Sequence, residues 1–290
     1  MSLTLLDIGG TYIKCADGRQ IPISSDGSRE VIAEALRSAV SFRPKPEGRS
    51  GGISQIGVAI PGPFDYKNGI FLMKHKFASV YGERFQDLIF HSERPSCHSE
   101  RPSCHSERSE ESPDIRFMHD VNAVLKGAIR QLGLGKGITA LVTLGTGLGF
   151  SYAIDGVTQE SETGSPAKSI WNLPYQGGIL EDTVSARGIR IAYARKTGDG
   201  TQSAYSIAQR AYSGDIAAME VYDNVGKILG DALEPIHEEL GFDTLLLGGQ
   251  IAKSLSLMIK PMEAAMPGIT IRQAPDGAVF RGLETLFENN

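Results

Sequence analysis

The chain has 290 residues, of which 41% are hydrophobic and 22% charged, and its formal net charge is −5. This composition is typical of a globular protein with one large or two medium domains and excludes a fibrous or wholly disordered chain. The slight acidic excess disfavours nucleic acid as a partner, and no apolar run reaches the roughly 20 residues that span a membrane. Three cysteines do not make a disulfide framework, and the first residues lack the basic start of a signal peptide. We therefore expect a cytoplasmic protein.

The N-terminal part of the chain alternates short β-prone runs with amphipathic helical segments. Adjacent glycines at Gly9 and Gly10 separate two β-prone runs, which indicates a tight hairpin turn. Apolar residues at helical spacing follow, and a Pro- and Gly-rich loop precedes a run that ends at Pro61-Gly62-Pro63. The predicted strands are residues 3–8, 12–16 and 53–60, the predicted helices are residues 28–40 and 85–90, and the loop is residues 43–52.

Residues 91–113 contain a repeat with a period of seven residues. The motif His-Ser-Glu-Arg begins at His91, His98 and His105, and its last two occurrences follow a cysteine. One interpretation is metal binding, because three histidines and two cysteines supply enough ligands. The other is a low-complexity insertion outside the core. We favour the insertion because the spacing matches no Cys-x-x-Cys zinc site and the polar composition buries too little apolar surface to fold.

The rest of the chain repeats the opening arrangement of strand, glycine turn and strand. Gly145-Thr146-Gly147-Leu148-Gly149 separates two β-prone runs, and later strands alternate with helices, which indicates the α/β class. Two similar halves suggest a duplicated fold. The predicted strands are residues 115–118, 138–144, 150–154, 243–247 and 269–274, and the predicted helices are residues 123–132, 184–195, 216–240, 250–258 and 281–288.

Three glycine turns that end strands are the first candidates for a binding site. Backbone amides in such turns can cradle phosphate because no Cβ blocks its approach. The first is Gly9-Gly10-Thr11, near which Asp7 is a candidate Mg²⁺ ligand and Lys14 a candidate phosphate contact. Gly145-Thr146-Gly147 is the second, and Gly248-Gly249, at the start of a helix, is the third. Each alone is also explained as an ordinary turn, whereas three in one chain favour a nucleotide site.

Asp120 is the candidate proton acceptor. It follows a strand and opens a helix, so its carboxylate has two interpretations: a helix N-cap or a general base for a substrate hydroxyl. Pro61-Gly62-Pro63 is explained as a stiff turn, and Glu162 and Glu181 as solvated surface residues. The residues alone leave these alternatives open.

Five motifs lie along the chain, and together they carry a resemblance to a known family. They are Asp7-Ile8-Gly9-Gly10-Thr11-Tyr12-Ile13-Lys14, Val58-Ala59-Ile60-Pro61-Gly62-Pro63, His119-Asp120-Val121-Asn122-Ala123, Leu144-Gly145-Thr146-Gly147-Leu148-Gly149 and Leu247-Gly248-Gly249. Taken together, these motifs resemble the ROK family, which comprises repressors, open reading frames and sugar kinases. They occur in the family's order and extend over nearly the whole chain except the repeat. The combination is highly specific, although each motif alone is not.

The resemblance implies an α/β, two-lobed actin/hexokinase-like fold, also called ribonuclease H-like, that is duplicated and has a cleft between its lobes. Residues 1–118, with the insertion at 91–113, would form the N-terminal lobe, and residues 119–275 the C-terminal lobe. Residues 276–290 would carry a helix that returns to the N-terminal lobe. Closure of such lobes would exclude water, which competes with the substrate hydroxyl as phosphoryl acceptor.

The resemblance also implies ATP and Mg²⁺ as cofactors. Asp7 would hold Mg²⁺, directly or through water, and Gly9-Gly10-Thr11 would face the ATP phosphates. Gly145-Thr146-Gly147 would be the second phosphate loop, and Gly248-Gly249 would lie on the adenosine side. Asp120 matches the family's catalytic base, which takes the proton of the attacking sugar hydroxyl.

The sugar side departs from the family pattern. The residues implied there are Gly62, His119, Asp120, Glu162 and Glu181. The family commonly has Asn where this chain has His119, and the His of its Glu-x-Gly-His motif is Ser165 here. Its zinc motif has three cysteines before the residue matched by Glu181, whereas this chain has no cysteine between Ser165 and Glu181, so we predict no structural zinc. These changes leave the identity of the sugar open.

We therefore expect an ATP-dependent kinase that phosphorylates a hydroxyl of a hexose or an N-acylated hexosamine, with a small sugar as its partner. A homodimer is compatible with the resemblance. A sugar-responsive repressor is disfavoured, because the first strand begins within a few residues of Met1 and leaves no room for a helix-turn-helix. The remaining alternative is a catalytically silent sugar-binding protein, which His119, Ser165 and the missing cysteines motivate.

Overall fold

The computed structural model describes residues 2–40, 53–90 and 113–288, and the chain divides into two compact units. Unit 1 comprises residues 1–120, 162–165 and 283–290, and unit 2 comprises residues 121–161 and 166–282. The strands are β1 Ser2–Ile8, β2 Tyr12–Cys15, β3 Gln20–Pro22, β4 Ile53–Ile60, β5 Phe64–Asp65, β6 Ile70–Phe71, β7 Asp114–His119, β8 Ile138–Leu144, β9 Leu148–Ile154, β10 Val157–Thr158, β11 Pro174–Tyr175, β12 Gly178–Ile179, β13 Thr244–Gly248 and β14 Thr270–Gln273. The α-helices are α1 Arg29–Val40, α2 Phe85–Phe90, α3 Asp120–Leu132, α4 Leu180–Val184, α5 Ala186–Thr197, α6 Ala204–Tyr212, α7 Ile216–Leu240, α8 Ile259–Ala265 and α9 Ala278–Glu284.

The main sheet of unit 1 has the strand order β3-β2-β1-β4-β7. Strands β1 and β2 form an antiparallel hairpin around the first glycine turn, while β4 is parallel to β1 and β7 is parallel to β4. Helix α1 buries Ile32 and Leu36 in the same core as Leu6 and Val58 of the sheet. The three parallel strands end at one edge of this sheet.

The main sheet of unit 2 has the order β10-β9-β8-β13-β14 and the same arrangement. Strands β8, β9 and β10 are antiparallel, and β13 lies parallel to both β8 and β14. Helix α7 has 25 residues, and its core face includes Val225 and Leu229. It begins where the Asp215 carboxylate accepts a hydrogen bond from the Ala218 amide at 3.1 Å, and it ends at Gly241 with a φ of 69°. These are standard signals for a helix start and a helix end.

The two sheets repeat one topology, which confirms the predicted α/β class and the repeated opening of strand, turn and strand. The strands predicted at residues 53–60 and 138–144 and the helices predicted at residues 85–90 and 216–240 begin and end where the structure has them. Strands as short as β3, β5 and β6 carry too little periodicity to be recognised in sequence. The same limit applies to β11 and β12.

The helices predicted at 28–40 and 123–132 begin at Arg29 and Asp120 in the structure, and three other predicted helices differ by more than the position of one end. The helix predicted over residues 184–195 is divided into α4 and α5, because Ser185 between them has an extended backbone with φ −72° and ψ 172°. The segment predicted as a helix over 250–258 is a 3-10 helix, Ile251–Leu257, in which Ser254 departs from helical angles. The last helix, predicted at 281–288, is Ala278–Glu284 and so begins and ends earlier.

Some predictions fall on residues that are not described. The loop predicted at 43–52 and the repeat at 91–113, apart from residue 113, lie outside the described residues. The division at 118 and 275 stays a prediction. Within unit 1, the end of α9 and the residues after it lie over β4, where a Cβ on Gly57 would be 3.1 Å from Cε2 of Phe287 and 3.5 Å from Cβ of Leu283. Among the helices of the described residues, none is both long and apolar enough to cross a membrane.

Candidate active site

Three sequence motifs meet at one edge of the unit 1 sheet. Asp7 is the penultimate residue of β1, Pro61-Gly62-Pro63 follows β4, and His119 is the last residue of β7. The register pairs Asp7 with Ala59 and Ile60 with His119, so the ends of the three strands lie side by side. Ligands of parallel sheets bind beyond the carboxyl ends of the strands. This edge is therefore the candidate site of unit 1.

Asp7 shares this edge with a lysine and a second carboxylate. Its Oδ2 lies 3.4 Å from Nζ of Lys14, its partner in the β1–β2 register. Burial raises the pKa of the Asp7 carboxyl, Lys14 lowers it, and the negative charge of Asp120 raises it. Asp7 and Asp120 are therefore near enough to interact electrostatically. The Asp7 carboxylate supplies oxygen atoms of the kind that Mg²⁺ prefers, and a cation bound to it would reduce its repulsion with Asp120, so Asp7 fits a bound Mg²⁺.

The turn Gly9-Gly10-Thr11 is held in place by backbone hydrogen bonds. The Gly9 amide donates to Tyr12 O at 2.9 Å, and the amides of Ile23 and Ser25 donate to Thr11 O and Gly10 O, each at 3.0 Å. A Cβ on Gly10 would lie 3.4 Å from Ser25 Oγ, an ordinary contact distance. Packing within the protein therefore does not require glycine at this position, whereas the close approach of a phosphate would.

His119 and Asp120 form a contact pair where β7 ends and α3 begins. Nδ1 of His119 lies 2.9 Å from Oδ1 of Asp120, at the distance of a hydrogen bond in which a carboxylate accepts. The imidazole ring centroid is 5.8 Å from that of Tyr66, and a Cβ on Gly62 would lie 3.5 Å from Nε2 of His119. Tyr66 and Gly62 thus cover much of the His119 imidazole, whereas the Asp120 side chain keeps 34% of its surface exposed.

Tyr66 belongs to this cluster, although the sequence analysis did not identify it. Its hydroxyl donates to Ile60 O at 3.1 Å, and its ring is buried. The segment Glu162–Ser165 is part of unit 1, and a Cβ on Gly164 would lie 3.2 Å from Cδ2 of Tyr66. Tyr66 therefore packs against both His119 and the segment 162–165, which carries the predicted sugar residue Glu162. No pattern around a single tyrosine signals such a contact in the sequence.

The second glycine turn, Gly145-Thr146-Gly147, connects β8 and β9 in unit 2. The Gly145 amide donates to Gly147 O at 3.0 Å, and Thr146 at the tip is exposed. Glu181 contacts this turn, because its Oε2 accepts a hydrogen bond of 2.8 Å from the Leu148 amide. The assignment of Glu181 to a sugar stays a prediction. In the structure, one of its carboxylate oxygens accepts a hydrogen bond from the backbone directly after the second glycine turn.

The third turn, Gly248-Gly249, lies against the end of β8, just before the second turn. A Cβ on Gly249, where φ is 85°, would be 2.2 Å from Leu144 O at the end of β8. A Cβ on Gly248 would be 3.3 Å from Cγ2 of Thr143 and from Cγ1 of Val124. Packing of β13 against β8 is thus sufficient to explain Gly249. The adenosine contact that the resemblance implies stays a prediction.

A hairpin occupies the segment where the family would have its zinc motif. Strands β11 and β12 pair Pro174 with Ile179 and Tyr175 with Gly178. The two residues between them, Gln176 and Gly177, have φ values of 47° and 81°, as in a type I′ turn. Within the residues that the structure describes, no group of three His, Cys, Asp or Glu side chains is arranged to hold a metal ion. The absence of a structural zinc stays a prediction.

The predicted site residues divide between the two units. Those in unit 1 are Asp7, Gly9, Gly10, Thr11, Lys14, Gly62, His119, Asp120 and Glu162. Those in unit 2 are Gly145, Thr146, Gly147, Glu181, Gly248 and Gly249.

Comparisons with known proteins show which family and which solved folds this chain resembles. A family model described as the ROK family matches residues 108–283. The chain is 24% identical over 310 residues to a glucokinase of Halalkalibacterium halodurans, across 95% of this chain and 88% of that protein. A solved ROK family glucokinase from Streptomyces griseus, in complex with glucose and AMPPNP, has a TM-score of 0.71 at 19% identity, across 97% of each chain.

A transcriptional regulator has a similar fold. This ROK family protein, a homologue of the Escherichia coli MLC protein, has a TM-score of 0.69 at 15% identity. The match covers 98% of this chain and 77% of the regulator. Solved structures at these identities establish the shared fold, and the assignment to the family rests on the family model.

Proposed function

Because the chain belongs to the ROK family, we propose that it is an ATP-dependent kinase that phosphorylates a sugar hydroxyl. The observation that carries the proposal is the cluster at the carboxyl edge of the unit 1 sheet. There Asp7, the turn around Gly10 and Asp120 supply a metal ligand, backbone amides for phosphate and a proton acceptor. Phosphoryl transfer requires these parts, since its catalysis consists mainly of positioning and charge stabilisation.

Asp120 is the general base of this mechanism. The Nδ1–H of His119, 2.9 Å from Oδ1, orients the carboxylate, and the exposed third of the side chain leaves it accessible to a hydroxyl. As the hydroxyl oxygen bonds to the γ-phosphorus, the bond from that phosphorus to the ADP oxygen breaks and the hydroxyl proton passes to Asp120. A positioned base of this kind accelerates a reaction by about 10²–10⁴-fold.

Asp7 would hold Mg²⁺, directly or through water, and the ion would supply charge neutralisation for the phosphate oxygens. Lys14, whose Nζ is 3.4 Å from the Asp7 carboxylate, adds positive charge at the same edge. The turns Gly9-Gly10-Thr11 and Gly145-Thr146-Gly147 would bind the phosphates through their amides, and Gly248-Gly249 would lie on the adenosine side.

The proposed acceptor is a hexose or an N-acylated hexosamine. His119 packs against Tyr66, and Glu162 is two residues from Gly164, where a Cβ would lie 3.2 Å from the Tyr66 ring. The carboxylate of Glu162 and the imidazole of His119 are groups that form hydrogen bonds with sugar hydroxyls. A Cβ on Gly62 would lie 3.3 Å from the Tyr66 hydroxyl, so a small residue suits this position. Ser165, in place of the histidine that is common in the family, shortens the side chain at this side of the site and favours a preference among sugars that differs from that of its relatives.

An assay of ADP release with MgATP, over a panel of hexoses and N-acylhexosamines, tests the proposal. Turnover with any one of them supports a kinase. The second candidate, a catalytically silent sugar-binding protein, is favoured by His119 and Ser165 in place of the family's residues. Sugar binding measured by calorimetry, without ADP release from any member of the panel, would replace the kinase proposal with this one.

A further inference from the structure

The carboxylate of Glu181 lies directly against the backbone of the second glycine turn. Its Oε2 accepts the Leu148 amide at 2.8 Å, and Leu148 is the residue that follows the turn. A Cβ on Gly147 would lie 2.8 Å from the same oxygen, which is closer than real Cβ contacts come. A larger residue at position 147 would therefore displace the Glu181 carboxylate from the Leu148 amide.

Hydrogen bonds and core packing fix the backbone of Glu181, from which its carboxylate extends to the turn. The Glu181 amide donates to Trp171 O at 3.1 Å, and the Leu180 amide donates to Leu173 O at 2.8 Å. Leu180 and Ile170 are fully buried in the core of unit 2. The hairpin of β11 and β12 closes the chain between these two hydrogen-bonded segments. The backbone at Glu181 is therefore held in one conformation by its surroundings.

A second contact from the same segment holds the other end of the turn. The Ala186 amide, at the start of α5, donates to Gly145 O at 2.9 Å. Residues 181 and 186 therefore hold the two ends of Gly145-Thr146-Gly147, while Thr146 at the tip remains exposed. A turn held at both ends keeps its amides in place when a ligand arrives, so that binding loses less conformational entropy.

We infer that Glu181 is a positioning residue for the nucleotide: its carboxylate fixes the Gly145-Thr146-Gly147 turn in the conformation that receives the ATP phosphates. This inference rests on the proposed function, which assigns that turn to phosphate. It differs from a sugar-binding role in what it affects, because a residue that fixes the turn controls nucleotide affinity even when no sugar is present.

The test is the affinity of the full chain for AMPPNP with Mg²⁺, measured by calorimetry without sugar. Glu181→Ala is expected to weaken binding by about tenfold or more, since a hydrogen bond to a charged group is lost. Glu181→Asp should weaken it similarly, because the shorter side chain cannot reach the Leu148 amide. Glu181→Gln retains an acceptor oxygen at the same length and should stay within about threefold of the unchanged chain. Asp182→Asn, at an exposed neighbouring position paired with Arg187, is the matched control and should leave affinity unchanged.

The outcomes separate this inference from the proposed function. If the wild-type protein binds AMPPNP and the variants Glu181→Ala and Glu181→Asp bind it with the same affinity, the inference is wrong and the kinase proposal stands. If those variants instead raise only the KM for the sugar, Glu181 is a sugar ligand. If the unchanged chain does not bind AMPPNP, both proposals fail. Should Glu181→Ala not fold, as judged by circular dichroism, the comparison of the Asp and Gln variants decides.

Discussion

Replacing Asp120 by Asn removes the proposed proton acceptor with the smallest change in shape. Asp120 is the first residue of α3, and Asn suits the start of a helix about as well as Asp. The amide oxygen of Asn can accept the hydrogen bond that His119 Nδ1 now directs to Asp120 Oδ1. We therefore expect the free energy of unfolding to change by no more than about 1 kcal/mol, as for surface substitutions that preserve their contacts.

The expected loss of activity is far larger. Without a base, kcat should fall by about 10²–10⁴-fold, which corresponds to a barrier higher by about 2.7–5.4 kcal/mol. Because Asp120 raises the pKa of Asp7, removing its charge lets Asp7 ionise more easily, so Mg²⁺-dependent nucleotide binding should not weaken. The assay is ADP release at saturating MgATP and sugar, with AMPPNP affinity measured in parallel.

The matched control is Asp87→Asn, the same substitution in the first turn of α2 in unit 1, where the side chain is exposed. It should leave kcat unchanged. A kcat for Asp120→Asn near that of the unchanged chain would falsify the base assignment and leave Asp120 as a helix-start residue. Loss of kcat together with loss of folding would also refute the reasoning, since it rests on the two being separable.

The remaining predictions concern binding and stability. Gly10→Val should abolish AMPPNP binding with little change in thermal unfolding, because a Cβ there makes only an ordinary contact with the protein; calorimetry showing unchanged affinity would remove this turn from the site. Asp7→Asn should raise the unfolding temperature at pH 7 but not at pH 3. Burial raises the folded-state pKa of Asp7 above 3.8, so its ionised form opposes folding above that pKa and the effect vanishes below 3.8. Asp215→Ala should lower the unfolding temperature at pH 7, and less so as the pH falls below 3.8. The Tyr193 hydroxyl at 2.7 Å and the helix-start amides lower the folded-state pKa of Asp215, so its stabilising charge is lost as pH falls through that pKa. Thermal melts followed by circular dichroism at the two pH values measure both, and equal shifts at both values would contradict either prediction.

Local pattern was enough to predict the two repeated openings of strand, turn and strand. A glycine pair between β-prone runs, as at Gly9 and Gly10, indicates a turn from neighbouring residues alone. The long apolar periodicity of α7 and the acceptor at Asp215 specify that helix from neighbouring residues alone. The family motifs lie on these elements, so the sequence also indicated which residues belong to the candidate site. The division of the predicted helix at Ser185 was missed, because nothing in its neighbours' pattern interrupts the helix there.

The contacts that define the site's geometry come from residues distant in the chain. Tyr66 meets His119 and Gly164, and Glu181 meets Leu148, across separations at which no periodicity relates the two partners. Each contact exists because the sheets bring strand ends together and because glycine at 147 or 164 leaves room for a neighbouring side chain. Sequence spacing reports which face of an element a residue occupies, but only the packing of elements determines which faces meet. The motif around Glu181 therefore predicts a sugar contact, whereas its carboxylate contact with the backbone beside a glycine turn is visible only in the folded structure.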